Sequence, residues 1–248
     1  MEASSLRAIS RTERGLVRRE NEDNVLCLGE HALFAVADGM GGGEEGGLAS
    51  RIVCEEIKKG VVSSDFSRRT DEIAGAVARA NARIFEYAKD RGIRQMGSTV
   101  ALLALDGPDV GRCAIGSVGD SRVYRLRNGK AVQLTRDHSV GVELAERVGA
   151  SAGRRFASRS NPLAHILTRA IGTESSVEIE WHKIDVRPDD RFLICSDGVH
   201  DVIGTDDLGR ILSVGDLPTA ASALDREVLR CGAPDNYSFV IVDAGGMS

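Results

Sequence analysis

The fold of this chain is decided by the stretch ALFAVADGMGGGEEGG at residues 32–47. Six apolar residues end abruptly at Asp38-Gly39, and a glycine-rich segment follows. A short apolar run that is bounded by turn residues predicts a buried strand. Such a strand would hold the Asp38 carboxylate at a sheet edge, and the glycines would let other groups approach the backbone closely. Taken alone, the pattern also fits an ordinary Asp-Gly turn and a surface loop.

Carboxylates at the ends of apolar strands recur elsewhere in the chain. Asp120 follows AIGSVG, Asp197 follows FLICS, and Asp235 lies just before YSFVIV. Glu22 and Asp23 lie just ahead of another predicted strand. If these strands share one sheet edge, their carboxylates meet there.

A meeting of carboxylates has an electrostatic consequence. Two carboxylates about 5 Å apart repel each other by a few kcal/mol at an effective dielectric constant of about 20, so a cluster of them requires cations. Carboxylates without nearby His or Cys favour the hard ions Mg²⁺ or Mn²⁺ over zinc. Two such ions about 3.5–4 Å apart can activate a water molecule as a nucleophile near neutral pH.

The composition is that of a globular protein. The chain has 248 residues, of which 42% are hydrophobic and 28% are charged, and both values are ordinary. The formal net charge of −5 offers no electrostatic reason for binding nucleic acid or an anionic membrane. No linker or internal repeat is visible, so we expect residues 1–248 to form one domain.

The five cysteines are far apart and form no C-x-x-C pair. We interpret them as buried free thiols of a reducing compartment, not as a disulfide framework or a zinc site. No stretch approaches the roughly 18 apolar residues of a membrane span, and residues 1–15 lack the apolar segment of a signal peptide. We therefore expect a cytoplasmic protein with neither nucleic-acid nor membrane partners.

Hydrophobic periodicity predicts many short strands and helices that fall in pairs. The dipeptide Asn128-Gly129 between two strand-like runs predicts a hairpin. This pattern favours an α+β layered fold over a doubly wound parallel sheet. We predict order to resume at residues 166–171 after an exposed loop at 151–160. The predicted strands are 6–10, 24–28, 32–37, 99–105, 113–118, 123–127, 131–134, 177–186, 192–195 and 237–242. The predicted helices are 48–61, 71–90, 142–148, 206–212 and 218–231.

Eight motifs, in order along almost the whole chain, resemble the metal-dependent protein phosphatase (PPM) family, the type 2C Ser/Thr phosphatases in their bacterial form. They are GLVRRENEDN at 15–24, ALFAVADGMGG at 32–42, MGSTV at 96–100, VGDSRVYRLRNG at 118–129, LTRDHS at 134–139, LTRAIG at 167–172, ICSDGVHD at 194–201 and GAPDN at 232–236. The resemblance implies a four-layer α/β/β/α sandwich with two central antiparallel sheets flanked by helix pairs. Its metal ions would lie in a cleft at one end of the sandwich.

The resemblance also implies roles for the acidic residues. Asp38 would bridge two Mn²⁺ or Mg²⁺ ions, and the Gly39 carbonyl would ligate one of them. Asp197 and Asp235 would hold one ion of the pair, and Asp120 would join Asp197 at a possible third ion. Glu22 and Asp23 lie where the family has ligands that act through water or behind the first ligands.

Arg18 lies where the family places its phosphate-binding arginine, with Arg19 beside it as a rival. A guanidinium fork suits this task because it pairs bidentately with phosphate oxygens. The implied catalytic residues are therefore Arg18 and Asp38, and Arg18 would also bind substrate.

The implied reaction is hydrolysis of phosphoserine and phosphothreonine by direct attack of a metal-activated water. The chain has neither the C-x₅-R loop of tyrosine phosphatases nor the D-x-D-G-T motif of aspartyl nucleophiles. The expected partners are phosphoprotein substrates of a bacterial Ser/Thr kinase, and we expect a monomer. The alternatives are a regulator acting on one dedicated phosphoprotein, of the anti-sigma-antagonist type, and an inactive phosphoprotein-binding module.

The chain departs from the family pattern in two places. Met40 stands where eukaryotic members have a histidine proposed as general acid, so no general acid is assigned, and the five histidines are interpreted as structural or surface residues. Residues 140–165 correspond to the family's flap, and NPLAH at 161–165 departs from the bacterial pattern. Arg154, Arg155 and Arg159 either attract acidic phosphoproteins or belong to a solvated loop. Arg122 is expected in a buried ion pair.

Overall fold

The structure, a computed structural model, describes residues 6–61, 65–106, 111–149, 156, 158 and 161–245. Its strands in chain order are β1 (Arg7–Glu13), β2 (Asn24–Leu28), β3 (Leu33–Ala37), β4 (Gly39–Met40), β5 (Gly97–Ser98), β6 (Val100–Leu105), β7 (Arg112–Val118), β8 (Arg122–Arg127), β9 (Lys130–Gln133), β10 (Glu180–Asp185), β11 (Arg191–Cys195) and β12 (Tyr237–Asp243). The helices are α1 (Glu44–Gly60), α2 (Phe66–Arg91), α3 (Val140–Val148), α4 (Asp197–His200), α5 (Thr205–Leu212) and α6 (Leu217–Arg230). Short 3-10 helices occur at Gly29–His31 and Pro162–His165.

Ten of these strands form two antiparallel sheets. The first sheet has the order β1-β12-β11-β8-β9, and the second has the order β10-β7-β6-β3-β2. The strands β4 and β5 form a separate two-residue pair. Asn128 and Gly129 both have positive φ, which is the conformation that a two-residue hairpin of type I′ requires, and they join β8 to β9 as predicted.

Three apolar clusters show how the layers stack. One lies between the two sheets, one lies between the second sheet and the helices α1 and α2, and one lies between the first sheet and the helices α5 and α6. Strand β3 contributes to two of them, because Leu33 and Ala35 face the helices whereas Phe34 and Val36 face the other sheet. Both faces of the central strands are therefore buried. The α+β class and the four-layer sandwich are confirmed.

The predicted boundaries shift in a few places. Helix α2 begins at Phe66 and not at residue 71, because Asp65 caps it by accepting a hydrogen bond from the Ser67 backbone. Strand β10 covers only Glu180–Asp185 of the predicted 177–186. Residues 166–171 make only isolated bridges, Ser98 with Ile171 and Ser139 with Leu167. Most of the predicted loop at 151–160, including Arg154, Arg155 and Arg159, lies outside the described residues.

Strand register brings the acidic residues to one end of the sandwich. In the second sheet Asn24 pairs with Ala37, and Val100 pairs with Val118. In the first sheet Cys195 pairs with both Phe239 and Arg122. The chain therefore leaves or enters these strands at the same end, at Asp23, Asp38, Thr99, Asp120, Asp197 and Asp235. None of the described helices combines the length and the apolarity needed to cross a membrane.

A buried ion pair stabilises the opposite end of the first sheet. Arg191 in β11 donates to both carboxylate oxygens of Asp243 in β12, at 2.6 and 3.1 Å. Arg191 also donates to the carbonyls of Leu212 and Gly215. The pair links two central strands to the end of α5.

Replacing Arg191 by Met should therefore lower the free energy of unfolding by about 3–5 kcal/mol, because the Asp243 carboxylate would stay buried without its bidentate partner. Urea denaturation followed by circular dichroism measures the change. Arg7→Met is the matched control, since Arg7 contacts the same carboxylate from an exposed position, 3.3 Å away; it should cost less than about 1 kcal/mol. Equal unfolding midpoints for the two variants would contradict the assignment.

Candidate active site

A cleft with a volume of 490 Å³ opens at the end of the sandwich where the acidic residues gather. The backbone of the glycine-rich segment forms one wall, and the segment after the 3-10 helix Pro162–His165 forms another. Most of its polar side chains lie next to the ends of strands of the two sheets. The lining residues are Arg18, Glu22, Asp38, Gly39, Met40, Gly41, Gly42, Gln95, Thr99, Asp120, His165, Ile166, Leu167, Asp197, Asp235 and Asn236.

Gly39, Gly46 and the Glu22 side chain pack so closely that neither glycine has room for a Cβ. A Cβ on Gly39 would lie 2.0 Å from the Gly46 carbonyl oxygen, and a Cβ on Gly46 would lie 1.8 Å from a Glu22 carboxylate oxygen. The Glu22 carboxylate accepts a hydrogen bond of 2.8 Å from the Gly43 backbone at the start of α1. The positive end of a helix dipole stabilises an acidic group there. Glu22 is thus fixed behind Asp38-Gly39.

Asp38 is fixed by backbone contacts to the neighbouring strand. Its backbone nitrogen donates to the Thr99 hydroxyl at 3.1 Å, and its carbonyl accepts from the Thr99 backbone at 2.8 Å. The Thr99 hydroxyl also hydrogen-bonds to Ser121, 2.7 Å away. The two sheets are therefore joined through Thr99 directly beside Asp38.

Two buried histidines hold the turn that carries Asp120. The Gly119 backbone donates to His138 Nδ1 at 3.0 Å, and the ring of His200 contacts the Asp120 carbonyl through Nε2 at 3.1 Å. His138 also contacts Glu180 through its other ring nitrogen, at 2.9 Å. These contacts agree with the structural interpretation of both histidines. Arg122 is likewise paired with Asp137, at 2.5 Å.

Asp197 begins helix α4, directly after β11. Asp23 lies beside this turn, where one of its carboxylate oxygens accepts a 2.7 Å hydrogen bond from Ser196. The other carboxylate oxygen of Asp23 is buried and has no hydrogen-bond partner among the described residues. Buried polar atoms are rarely left without a partner, so this oxygen is available to a further group.

The carboxylates repel one another. Burial and the charges of neighbouring carboxylates raise the pKa of Asp38 and of Asp197 well above the ordinary value. Burial raises the pKa of Asp23 to about 6. Burial, with the charges of Asp137 and Asp201, raises the pKa of Asp120 to about 7. An electronegative cluster of this kind favours a bound cation.

The carboxylates of the cleft lining fit Mn²⁺ or Mg²⁺, because hard cations prefer oxygen ligands. In the part of the chain that the structure describes, however, no three His, Cys, Asp or Glu side chains are positioned to hold one ion as they stand. Asp38, Asp197 and Asp235 line one cleft without converging on a single point. The ligand roles of these residues, and those of Gly39, Asp120, Glu22 and Asp23, stay predictions.

The Asp235 carboxylate forms an ion pair with Arg18. The guanidinium donates to the Asp235 carboxylate at 2.6 Å, and this hydrogen bond raises the pKa of Arg18. The charges of Glu22 and Asp197 act in the same direction. Arg18 lines the cleft whereas Arg19 does not, so the structure favours the predicted phosphate ligand over its rival.

Asn236 is a positioning residue that our sequence reasoning missed. Its side-chain amide donates to the carbonyls of Arg14 and Glu20, at 2.9 and 2.7 Å, and its oxygen accepts from the Glu22 backbone at 3.0 Å. The segment that carries Arg18 is therefore attached at both ends to the residue after Asp235. The only signal was the position of Asn236 in the GAPDN motif.

The site and the two-sheet sandwich together define a metal-dependent phosphatase architecture. Residues 17–239 match the family model described as protein phosphatase 2C. The chain belongs to the protein phosphatase 2C family.

Relatives with known names agree with this assignment. The chain is 31% identical over 241 residues to the serine/threonine protein phosphatase PstP of Mycobacterium tuberculosis, with 96% of this chain and 45% of PstP covered. The chain thus spans about half the length of this curated relative.

Solved structures agree as well. PppA, described as a key regulatory component of T6SS in Pseudomonas aeruginosa, is 32% identical with a TM-score of 0.87, and 97% of this chain and 98% of that chain are covered. The catalytic domain of PstP in complex with two manganese ions is 30% identical with a TM-score of 0.81, and 96% of this chain and 97% of that chain are covered.

If Arg18 binds phosphate, Arg18→Ala should weaken competitive inhibition by inorganic phosphate by about tenfold or more, since a charge-assisted hydrogen bond is worth about 1.5–3 kcal/mol. The inhibition constant is measured with an aryl phosphate substrate.

Arg19→Ala is the matched control because Arg19 is also exposed, adjacent in sequence and outside the cleft lining. Its inhibition constant should stay within about twofold of the wild type, the range typical of surface substitutions. A similar weakening in both variants would assign the effect to general surface charge.

Proposed function

We propose that this protein is a Mn²⁺- or Mg²⁺-dependent protein-serine/threonine phosphatase that hydrolyses phosphoserine and phosphothreonine by direct attack of water. The observation that carries the proposal is the cleft in which Arg18 lies beside Asp38, Asp197 and Asp235. A cation-binding acidic floor next to a guanidinium suits a phosphate dianion, which needs positive charge on several sides. Family membership and the manganese-bound relative support the choice of cofactor.

The residues at the floor of the cleft and those at its rim would have different roles. Asp38, the Gly39 carbonyl, Asp197 and Asp235 would hold two core ions, and Asp120 with Asp197 would hold a third. Bound in this way, the ions would neutralise phosphate charge and lower the pKa of a water molecule. Arg18 would orient the phosphate by pairing with its oxygens. Glu22 and Asp23 would keep the floor rigid and negatively charged.

Of the alternatives, the inactive binding module is the less well supported. Every predicted acidic ligand is present in the chain and lines, or lies beside, one cleft. A regulator of one dedicated phosphoprotein would use the same chemistry. It differs only in substrate range, which a panel of phosphopeptides would test.

The remaining expectations also become proposals. We propose that residues 1–248 form one domain, since the sheets interleave strands from both ends of the chain. A cytoplasmic location is supported by the five cysteines, which are all free thiols. We also propose that the protein is a monomer and that a bacterial Ser/Thr kinase phosphorylates its substrates.

The test measures hydrolysis of an aryl phosphate and of a phosphothreonine peptide with Mn²⁺ and with EDTA. Activity should require the metal. In Asp38→Asn and Asp197→Asn it should fall by at least about 10²-fold, the loss expected when one electrostatic stabiliser of the transition state is removed. Isothermal titration with Mn²⁺ should show weaker binding in both variants.

Asp189→Asn serves as the control, because Asp189 is exposed and lies outside the cleft lining. It should retain wild-type activity and Mn²⁺ affinity. Wild-type hydrolysis that persists in EDTA, or full activity in either cleft variant, would refute the proposed function.

A further inference from the structure

His165 lies in the wall of the cleft. No general acid was assigned to this site from the sequence. His165 lines the same 490 Å³ cleft as Arg18, Asp38 and Asp197. Met40 also lines this cleft, and its thioether cannot donate a proton. Among the described residues, His165 is the one histidine in the cleft lining.

The ring of His165 is held by a carboxylate. Its Nδ1 lies 3.2 Å from Asp201 Oδ2, and the other oxygen of Asp201 lies 3.3 Å from His200 Nδ1. A carboxylate on Nδ1 fixes the orientation of an imidazole. A proton delivered to substrate would then come from Nε2, on the opposite side of the ring.

Helix α4 and the residue that follows it place both carboxylates. Helix α4 begins at Asp197, and the Asp201 backbone donates to the Asp197 carbonyl at 2.8 Å. Residues four apart lie on one face of a helix. Asp197 lines the cleft, and Asp201, one turn later, contacts the histidine in the wall.

The backbone around His165 is anchored to the metal-binding end of the sheets. The carbonyl of the next residue, Ile166, accepts a 2.8 Å hydrogen bond from Val140, and Thr168 donates to the His138 carbonyl at 2.9 Å. His138 in turn donates to the carbonyl of Gly119, the residue before Asp120, at 2.9 Å. Two steps of backbone hydrogen bonding therefore connect the His165 wall to the acidic floor.

From this geometry we propose that His165 is a catalytic residue, the general acid that protonates the leaving oxygen of phosphoserine or phosphothreonine, with Asp201 as its positioning residue. The inference rests on the proposed function. It gives His165 the task for which Met40 is unsuited, using a different segment of the chain.

The proton and electron changes balance. The bond between phosphorus and the side-chain oxygen breaks, and its electron pair stays on that oxygen. The His165 imidazolium transfers the Nε2 proton to this oxygen and becomes neutral. Water supplies the new phosphate oxygen and releases a proton that restores the imidazolium. One phosphoester and one water give one alcohol and one phosphate.

The substrate's leaving group provides the test. An alkoxide is a strong base and needs a proton as it leaves, whereas a nitrophenolate is stable without one. His165→Gln should therefore lower kcat on a phosphothreonine peptide by about 10²-fold, the usual contribution of a general acid. The loss on p-nitrophenyl phosphate should be at least about tenfold smaller. Mn²⁺ should be saturating throughout.

The ratio of the two rates protects the test against misfolding, since an unfolded fraction lowers both rates equally. His182→Gln is the matched control: the His182 side chain is 41% exposed, against 43% for His165, and it too contacts a carboxylate, Glu180. It lies outside the cleft lining, so the ratio should equal that of the wild type. Asp201→Asn should change the ratio in the same direction as His165→Gln, by a smaller factor.

Equal losses on both substrates in His165→Gln, or no loss on the peptide, would overturn the inference while leaving the phosphatase assignment intact. A wild type that hydrolyses neither substrate with Mn²⁺ would instead overturn the proposed function, and this inference with it. A selective loss on the peptide, absent from His182→Gln, would establish the role.

Discussion

Repulsion among carboxylates is the constraint around which this structure is built. Asp23, Asp38, Asp120 and Asp197 crowd one end of the sandwich, and their pKa values are all raised by burial and by the charges of neighbouring carboxylates. A fold tolerates such crowding only if rigid surroundings prevent the side chains from separating. Here the surroundings are the fully buried central strands of two sheets, closed on the outer faces by helices. The apolar contacts that stabilise the fold thus lie between the layers, and the cleft lies at the edge where the layers end.

The positive groups around the cleft divide into two kinds. Arg122 is committed to Asp137 by a short, largely buried pair, so it contributes to structure. Arg18 is about half exposed and contacts Asp235 at the rim. Because a surface ion pair contributes little to stability, Arg18 can leave its carboxylate partner at small cost. In the proposed function, Arg18 would exchange Asp235 for a phosphate while the floor of the cleft remains fixed.

Much of the fold could be predicted because local signals and layer packing agree. The run LFAVA is apolar at every position because one face of β3 meets helices and the other meets a sheet, and Asn128-Gly129 marks the hairpin without ambiguity. Contacts between distant segments could not be predicted. Nothing near His165 in sequence indicates that Asp201 is its neighbour. Hydrophobic periodicity does not predict the conformation of an irregular segment such as 161–172. The acidic residues were named from motif order, whereas the role of Asn236 in holding the segment that carries Arg18 required coordinates.

The first and last strands of the described chain are neighbours: β1 pairs with β12 from Arg7 opposite Asp243 to Glu13 opposite Tyr237. Arg18 and Asp235, which form an ion pair at the rim of the cleft, come from these same two regions. A nascent chain on the ribosome consequently lacks the cleft residues Asp235 and Asn236 until synthesis has reached residue 236. Contacts this distant in sequence form late in folding. The cleft is therefore incomplete throughout the translation of residues 1–234.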